Sequence, residues 1–128
     1  MRVALLLALL ATPALAQEPM TGAEFEAYVT GRTLTYGSGG EPYGVERYHE
    51  GRGVTWAFVG EACSAGYWEE RDPGLICFVY EDLEPDQCWR FYDEGGSLRA
   101  EFVNDPGVSY LYEVAEDDLA LICPDYGV

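Results

Sequence analysis

From residue 32 onward, apolar and polar positions alternate with a period of two. Leu34 and Tyr36 alternate with Thr33 and Thr35, and Val54, Trp56 and Phe58 alternate with Thr55, Ala57 and Val59. Side chains two apart share one face of a strand, so this pattern predicts half-buried strands. Further strands are predicted over residues 43–48, 67–68, 75–80, 88–92, 98–103, 108–114 and 119–123. Residues 75–80 are uniformly apolar apart from the tyrosine hydroxyl, as in a strand buried on both faces or covered on one by a helix. The turn signals are Gly37-Ser38-Gly39-Gly40-Glu41-Pro42, His49-Glu50-Gly51-Arg52, Asp72-Pro73-Gly74, the acidic run 81–87 and Asp93-Glu94-Gly95-Gly96. About nine short strands with turns at roughly 8–12-residue intervals predict an all-β barrel or sandwich. Short connections favour a meander, because sequential strands tend to be neighbours.

Before the strands the period changes. Thr21-Gly22-Ala23-Glu24 matches a capping box, with Thr21 as N-cap and Glu24 reaching back to its amide. Phe25, Tyr28 and Val29 then form one stripe of a short helix that Gly31 ends. So brief a helix is marginal alone, so its stripe is expected to lie on the sheet as a lid or plug. The fold class expected is therefore mainly β: an antiparallel meander or small barrel of eight to nine strands with one N-terminal helix.

The first residues read as an export signal. Arg2 is their only charge, residues 3–11 are apolar, and Ala14-Leu15-Ala16 is a small-x-small cleavage site. The run is too short to span a bilayer, which takes about 20 residues. Residue 17 is Gln, not the acceptor Cys of a lipoprotein. Cleavage after Ala16 leaves one domain, residues 17–128, with 6 basic and 23 acidic side chains and a net charge of −17. That charge disfavours nucleic acid and anionic membrane surfaces and attracts cationic partners. The aromatic residues, among them ten Tyr, supply the apolar area that an acidic chain needs to fold.

Four cysteines in an exported domain are expected to pair. Their spacings of 14, 11 and 35 contain no C-x-x-C metal motif. Cys77 and Cys88 fall on adjacent predicted strands. In a meander, the turn at Cys63 and the strand end at Cys123 fall at the same end of the sheet. Of three possible connectivities, Cys77–Cys88 with Cys63–Cys123 is therefore the one predicted.

The segments FEAYVTGRTLTYG, Gly66-Tyr67-Trp68, Cys77-Phe78 within ICFVY, and Cys88-Trp89 together resemble small signal-bearing alphaproteobacterial proteins of unknown function. In these a short helix precedes a β-meander with paired cysteines. The resemblance implies a periplasmic setting and a calycin-like or related barrel. It carries no activity with it.

No catalytic constellation is legible, and no cofactor or metal site is expected. The single histidine, His49, sits in a predicted turn, and none of the serines has a nucleophile-elbow context. Glu69-Glu70 and Glu81-Asp82 are the carboxylate pairs a glycosidase reading would use, but 23 acids make some such pair inevitable. Glu81, Asp82, Glu84 and Asp86, and the run Glu116-Asp117-Asp118, offer oxygens without the spacing of a calcium loop. A binding module remains. Tyr36, Tyr43, Tyr48, Tyr67, Tyr80, Tyr92, Tyr110, Tyr112 and Tyr126 are enough to fill an interior and still present anchors to a partner. The leading partner class is a basic protein, and the alternative is a small apolar ligand carried in a lipocalin-like barrel. The interior decides between them: an empty apolar cavity implies a ligand, and a filled barrel implies surface recognition.

Overall fold

The computed structural model describes residues 11, 17–105, 110–114 and 123. The expected signal segment therefore lies outside the described residues apart from Ala11. So do the predicted strand 119–123 apart from Cys123, the acidic run 116–118, and Tyr126.

Eight antiparallel strands close into one barrel in chain order: β1 Thr33–Ser38, β2 Glu41–Tyr48, β3 Gly53–Phe58, β4 Ser64–Glu70, β5 Ile76–Tyr80, β6 Leu83–Asp93, β7 Leu98–Phe102 and β8 Tyr110–Glu113. The last strand returns to the first by pairing Tyr36 with Glu113 and Gly37 with Tyr112. A barrel of eight strands has an interior that side chains just fill, or that leaves room for one small ligand. Alternation sorts the two faces. Leu34, Tyr36, Tyr48, Val54, Trp56, Trp68, Ile76, Phe78, Phe91, Leu98, Ala100 and Leu111 make up the buried core.

Two predicted loops are corrected. The glycine-rich run 37–42 is mostly strand, and its turn is only Gly39-Gly40, both at positive φ (58° and 84°). Two such residues in succession suit a tight hairpin turn, which L side chains resist. The acidic run 81–87 likewise contributes to β6, which begins at Leu83. Pairing there shifts from Tyr80–Leu83 to Phe78–Gln87, an irregularity in the ladder around residues 84–86. The irregularity accommodates Pro85, which has no N–H to give the ladder.

The helix α1, Gly22–Val29, starts as the capping box requires: Glu24 N–H donates to Thr21 Oγ1 and Thr21 N–H to Glu24 Oε1, both at 3.1 Å. Its first amide, Gly22 N–H, donates to Glu70 Oε2 at 2.7 Å, and Gly74 N–H donates to the same oxygen at 2.9 Å. These amides hold the Glu70 carboxyl below its usual range. One carboxylate thus fastens the helix start to the end of β4. The stripe points into the barrel: Phe25 and Val29 are fully buried. The Phe25 ring stacks on Phe91 (centroids 4.3 Å apart) and meets Trp68 (5.0 Å) and Tyr48 (5.7 Å) edge-on. Arg52 lies over the outer side of this cluster, 4.5 Å from the Trp68 ring, and its Nε donates to Glu26 on the helix. The helix is a plug for one end of the barrel.

Both predicted disulfides are present. Cys77 and Cys88 face each other across β5 and β6 with Cα atoms 4.0 Å apart, and Cys63 joins Cys123 over 5.7 Å. Oxidised pairs fit an oxidising, exported compartment. No helix among the described residues is long and apolar enough to cross a membrane.

Candidate functional site

The helix occupies the end of the barrel where β2 finishes and β3 begins. The opposite end carries the start of β2, the end of β5 and the start of β6, and no helix among the described residues covers it. A cavity of about 40 Å³ opens there, with Tyr43 and Gln87 toward its mouth and Phe91 and Tyr48 toward the helix. Space of this size exceeds the ~10–15 Å³ that one water needs. Its walls are aromatic: Tyr36, Trp56, Tyr80 and Trp89 all line it.

Two inward glycines set the positions of two of those rings. At Gly44 a Cβ would overlap the Trp56 indole, and at Gly66 it would overlap the Val79 carbonyl while pressing on the Tyr80 ring. The rings of Trp56 and Tyr80 therefore lie across backbone that has no side chain of its own. Gly66 is the glycine of the Gly-x-Trp motif. Its partner Trp68 points inward at the plugged end, so one short motif serves both ends of the barrel.

The same cavity contains a carboxyl group. Glu46, on β2 between Gly44 and Tyr48, is 1% exposed. Tyr80 O–H donates to its Oε1 at 2.8 Å. Its Oε2 is the one buried side-chain polar atom without a hydrogen-bond partner among the described residues. Burial pushes the Glu46 carboxyl well above the usual carboxylate range, and the Tyr80 hydrogen bond opposes that shift only in part. Beside it, the buried hydroxyls of Tyr36 and Tyr48 lie 2.7 Å apart and share one hydrogen bond. Two hydroxyls sharing one bond leave one O–H and several lone pairs for a third group. Burial raises the pKa of all three phenols, so each stays neutral near pH 7. No Arg or His lines the cavity among the described residues. A buried carboxyl oxygen left without a donor is costly, so a donor from outside the chain is called for.

A carboxyl whose folded pKa is raised contributes fully below its unfolded value, near 4.3, and loses that contribution as pH rises toward the folded value. Glu46→Gln removes the loss. The variant is therefore expected to gain stability over the parent as pH rises from 4 to 8, with little difference at the acid end. Thermal melts at both pH values check it, and a constant difference across the range would show that Glu46 titrates normally.

The carboxylates singled out from sequence are not assembled into a site. Glu69 and Asp86 both accept from Arg71, at 2.9 Å and 2.6 Å. Glu70 holds the helix start, and Glu81, Asp82 and Glu84 are exposed. His49 Nε2 lies 2.8 Å from Thr55 Oγ1, and burial with the Arg47 charge lowers its pKa. The tyrosines divide. Tyr36, Tyr48 and Tyr80 serve the interior, whereas Tyr43, Tyr67, Tyr110 and Tyr112 are exposed. Glu46 was not among the residues singled out from sequence, although the spacing Gly44-x-Glu46-x-Tyr48 places it on the face of an inward tyrosine. Comparison with known family models, curated proteins and solved structures finds no match to this chain.

Proposed function

We propose that this is an exported, non-catalytic binding barrel that holds a small polar-headed ligand at the end opposite the helix, in the manner of a lipocalin-like carrier. The observation that carries the reading is the unpartnered Oε2 of Glu46 in an aromatic-walled cavity. An apolar ligand, the alternative expected from sequence, would leave that oxygen without a donor. The cavity bounds the buried part of the ligand to a few heavy atoms. The periplasm, implied by the resemblance and compatible with both disulfides, is the compartment proposed.

The three tryptophans make the test internal to the molecule. Trp56 and Trp89 line the cavity, whereas Trp68 packs on Phe25 at the plugged end. Short-chain amines, alcohols and carboxylates, added separately to ¹⁵N-labelled protein, are expected to include one class that moves the indole N–H signals of Trp56 and Trp89 and leaves that of Trp68 in place. Shifts confined to exposed residues, or no shifts with any class, would rule out the pocket.

A second reading, recognition of a basic protein, draws on a separate observation. Tyr43, Tyr67, Tyr110 and Tyr112 are each more than 40% exposed on a strongly acidic chain. Such a complex would weaken sharply with salt, because exposed charges are screened within about 10 Å at 0.1 M.

A further inference from the structure

We infer that the ligand of this pocket is a small primary ammonium compound, its –NH3+ group docked on Glu46 Oε2 and its carbon skeleton held among the surrounding rings. The inference rests on the pocket reading above and narrows it to one chemical class.

Three observations converge on a cation. The free oxygen belongs to a carboxyl group, and nothing basic lines the cavity to balance it among the described residues. A buried carboxylate needs either a proton or a cation beside it. The rings of Tyr36, Tyr43, Trp56, Tyr80, Trp89 and Phe91 surround the same space. Aromatic faces carry negative electrostatic potential and attract ammonium groups, most strongly where water is excluded. Finally, the acidic surface raises the local concentration of small cations near the mouth.

The donor count selects among cations. A primary ammonium brings three N–H groups. One can meet Glu46 Oε2, and the Tyr36–Tyr48 hydroxyl pair and the Gln87 side chain offer acceptors for others. A quaternary ammonium has no N–H and leaves Oε2 unsatisfied. A hard metal ion such as calcium prefers six to eight oxygens, whereas this cavity has one carboxylate, and no cluster of three or more His, Cys, Asp or Glu suited to a metal occurs among the described residues.

The pocket also predicts a proton exchange. Burial keeps a proton on Glu46 at pH values where surface carboxyls have lost theirs. An arriving ammonium replaces that proton, which leaves to solvent. The other titratable groups facing Glu46 are the phenols of Tyr36, Tyr48 and Tyr80, all held neutral by burial. Affinity should therefore rise from pH 5 to pH 8.

The test is calorimetric titration of the mature protein at 150 mM NaCl with n-butylammonium, butan-1-ol, tetramethylammonium and calcium as separate probes. Butylammonium is expected to bind one-to-one, at least tenfold more tightly than butan-1-ol or tetramethylammonium, and to release protons at pH 7. Glu46→Gln should weaken it at least tenfold while the melting midpoint is kept or raised. Ala100→Leu, which fills the cavity and leaves the carboxyl in place, should weaken it similarly, so the inference does not depend on one variant folding. If butan-1-ol binds as well, in parent and Glu46→Gln alike, the cation inference fails and the pocket stands. If no probe binds, both fail. If butylammonium binding is unaffected by either variant, or if calcium displaces it, the inference fails in favour of surface acids or a metal.

Discussion

Replacing Phe25 by alanine is expected to destabilise the protein by about 3–5 kcal/mol, the usual cost of removing a fully buried phenylalanine. The basis is its position. Phe25 is 0% exposed and is the ring through which an eight-residue helix closes the barrel. A helix of two turns is not stable on its own, so the capping box and the Glu70 latch need this contact to hold the helix in place. The expected signature is a fall of at least about 10 °C in melting midpoint, with the β signature in far-ultraviolet dichroism retained. Because Phe91 and Tyr48 touch both Phe25 and the cavity, the variant should also enlarge the pocket inward. A shift of under about 2 °C, smaller than a 1 kcal/mol loss would give in a domain of this size, would show that the helix does not plug the barrel.

The second large effect is expected from the disulfides, and their order is specific. Cys63–Cys123 spans 60 residues and Cys77–Cys88 spans 11. Loop-closure entropy gives about 4 kcal/mol for the first and about 3 kcal/mol for the second. Local structure widens the gap. Cys77 and Cys88 sit on strands that the ladder already pairs, whereas Cys63–Cys123 ties the chain beyond β8 back to the turn before β4. Among the described residues, β8 meets β1 through two residue pairs only, the shortest seam of the barrel, so the strand that the long tether follows is the least held by its ladder. Chemical denaturation of the two double Cys→Ala variants should find the Cys63/Cys123 variant the less stable. The reverse order would mean that the hairpin bridge, not the long tether, holds the barrel closed.

Much of this architecture was legible in the residues because the signals were local. The Thr21/Glu24 capping box, the alternation in β1 and β3, and the strand pairing implied by short turns each involve neighbours in sequence. The Cys77–Cys88 pair followed from the meander, since adjacent strands set the two residues opposite each other, whereas the strand 119–123 on which the Cys63–Cys123 expectation rested lies outside the described residues apart from Cys123. Composition alone predicts loops over residues 37–42 and 81–87 that are longer than those in the barrel. Gly39-Gly40 needs only two residues to turn the chain, and Leu83 already faces the core despite its acidic neighbours.

Glu46 stayed hidden for a different reason. With 23 acids in the chain, a single glutamate on a predicted strand carries no weight by composition. Its burial depends on barrel closure, which brings Tyr80, 34 positions away, onto its carboxyl group. The inward glycines are similar. A Gly in a strand signals a close approach, but which ring lies over it is a property of the closed barrel.

The Glu46 carboxyl is buried among the aromatic walls of the cavity with its Oε2 unpartnered. Carbon-13 NMR titration of the glutamate side-chain carboxyls, with Glu46 assigned by its absence in Glu46→Gln, tests this most directly. The Glu46 carboxyl is expected to titrate well above the usual carboxylate range in the free protein, and saturating n-butylammonium is expected to bring its midpoint down. A Glu46 signal that titrates with the surface glutamates, unmoved by the amine, would contradict it.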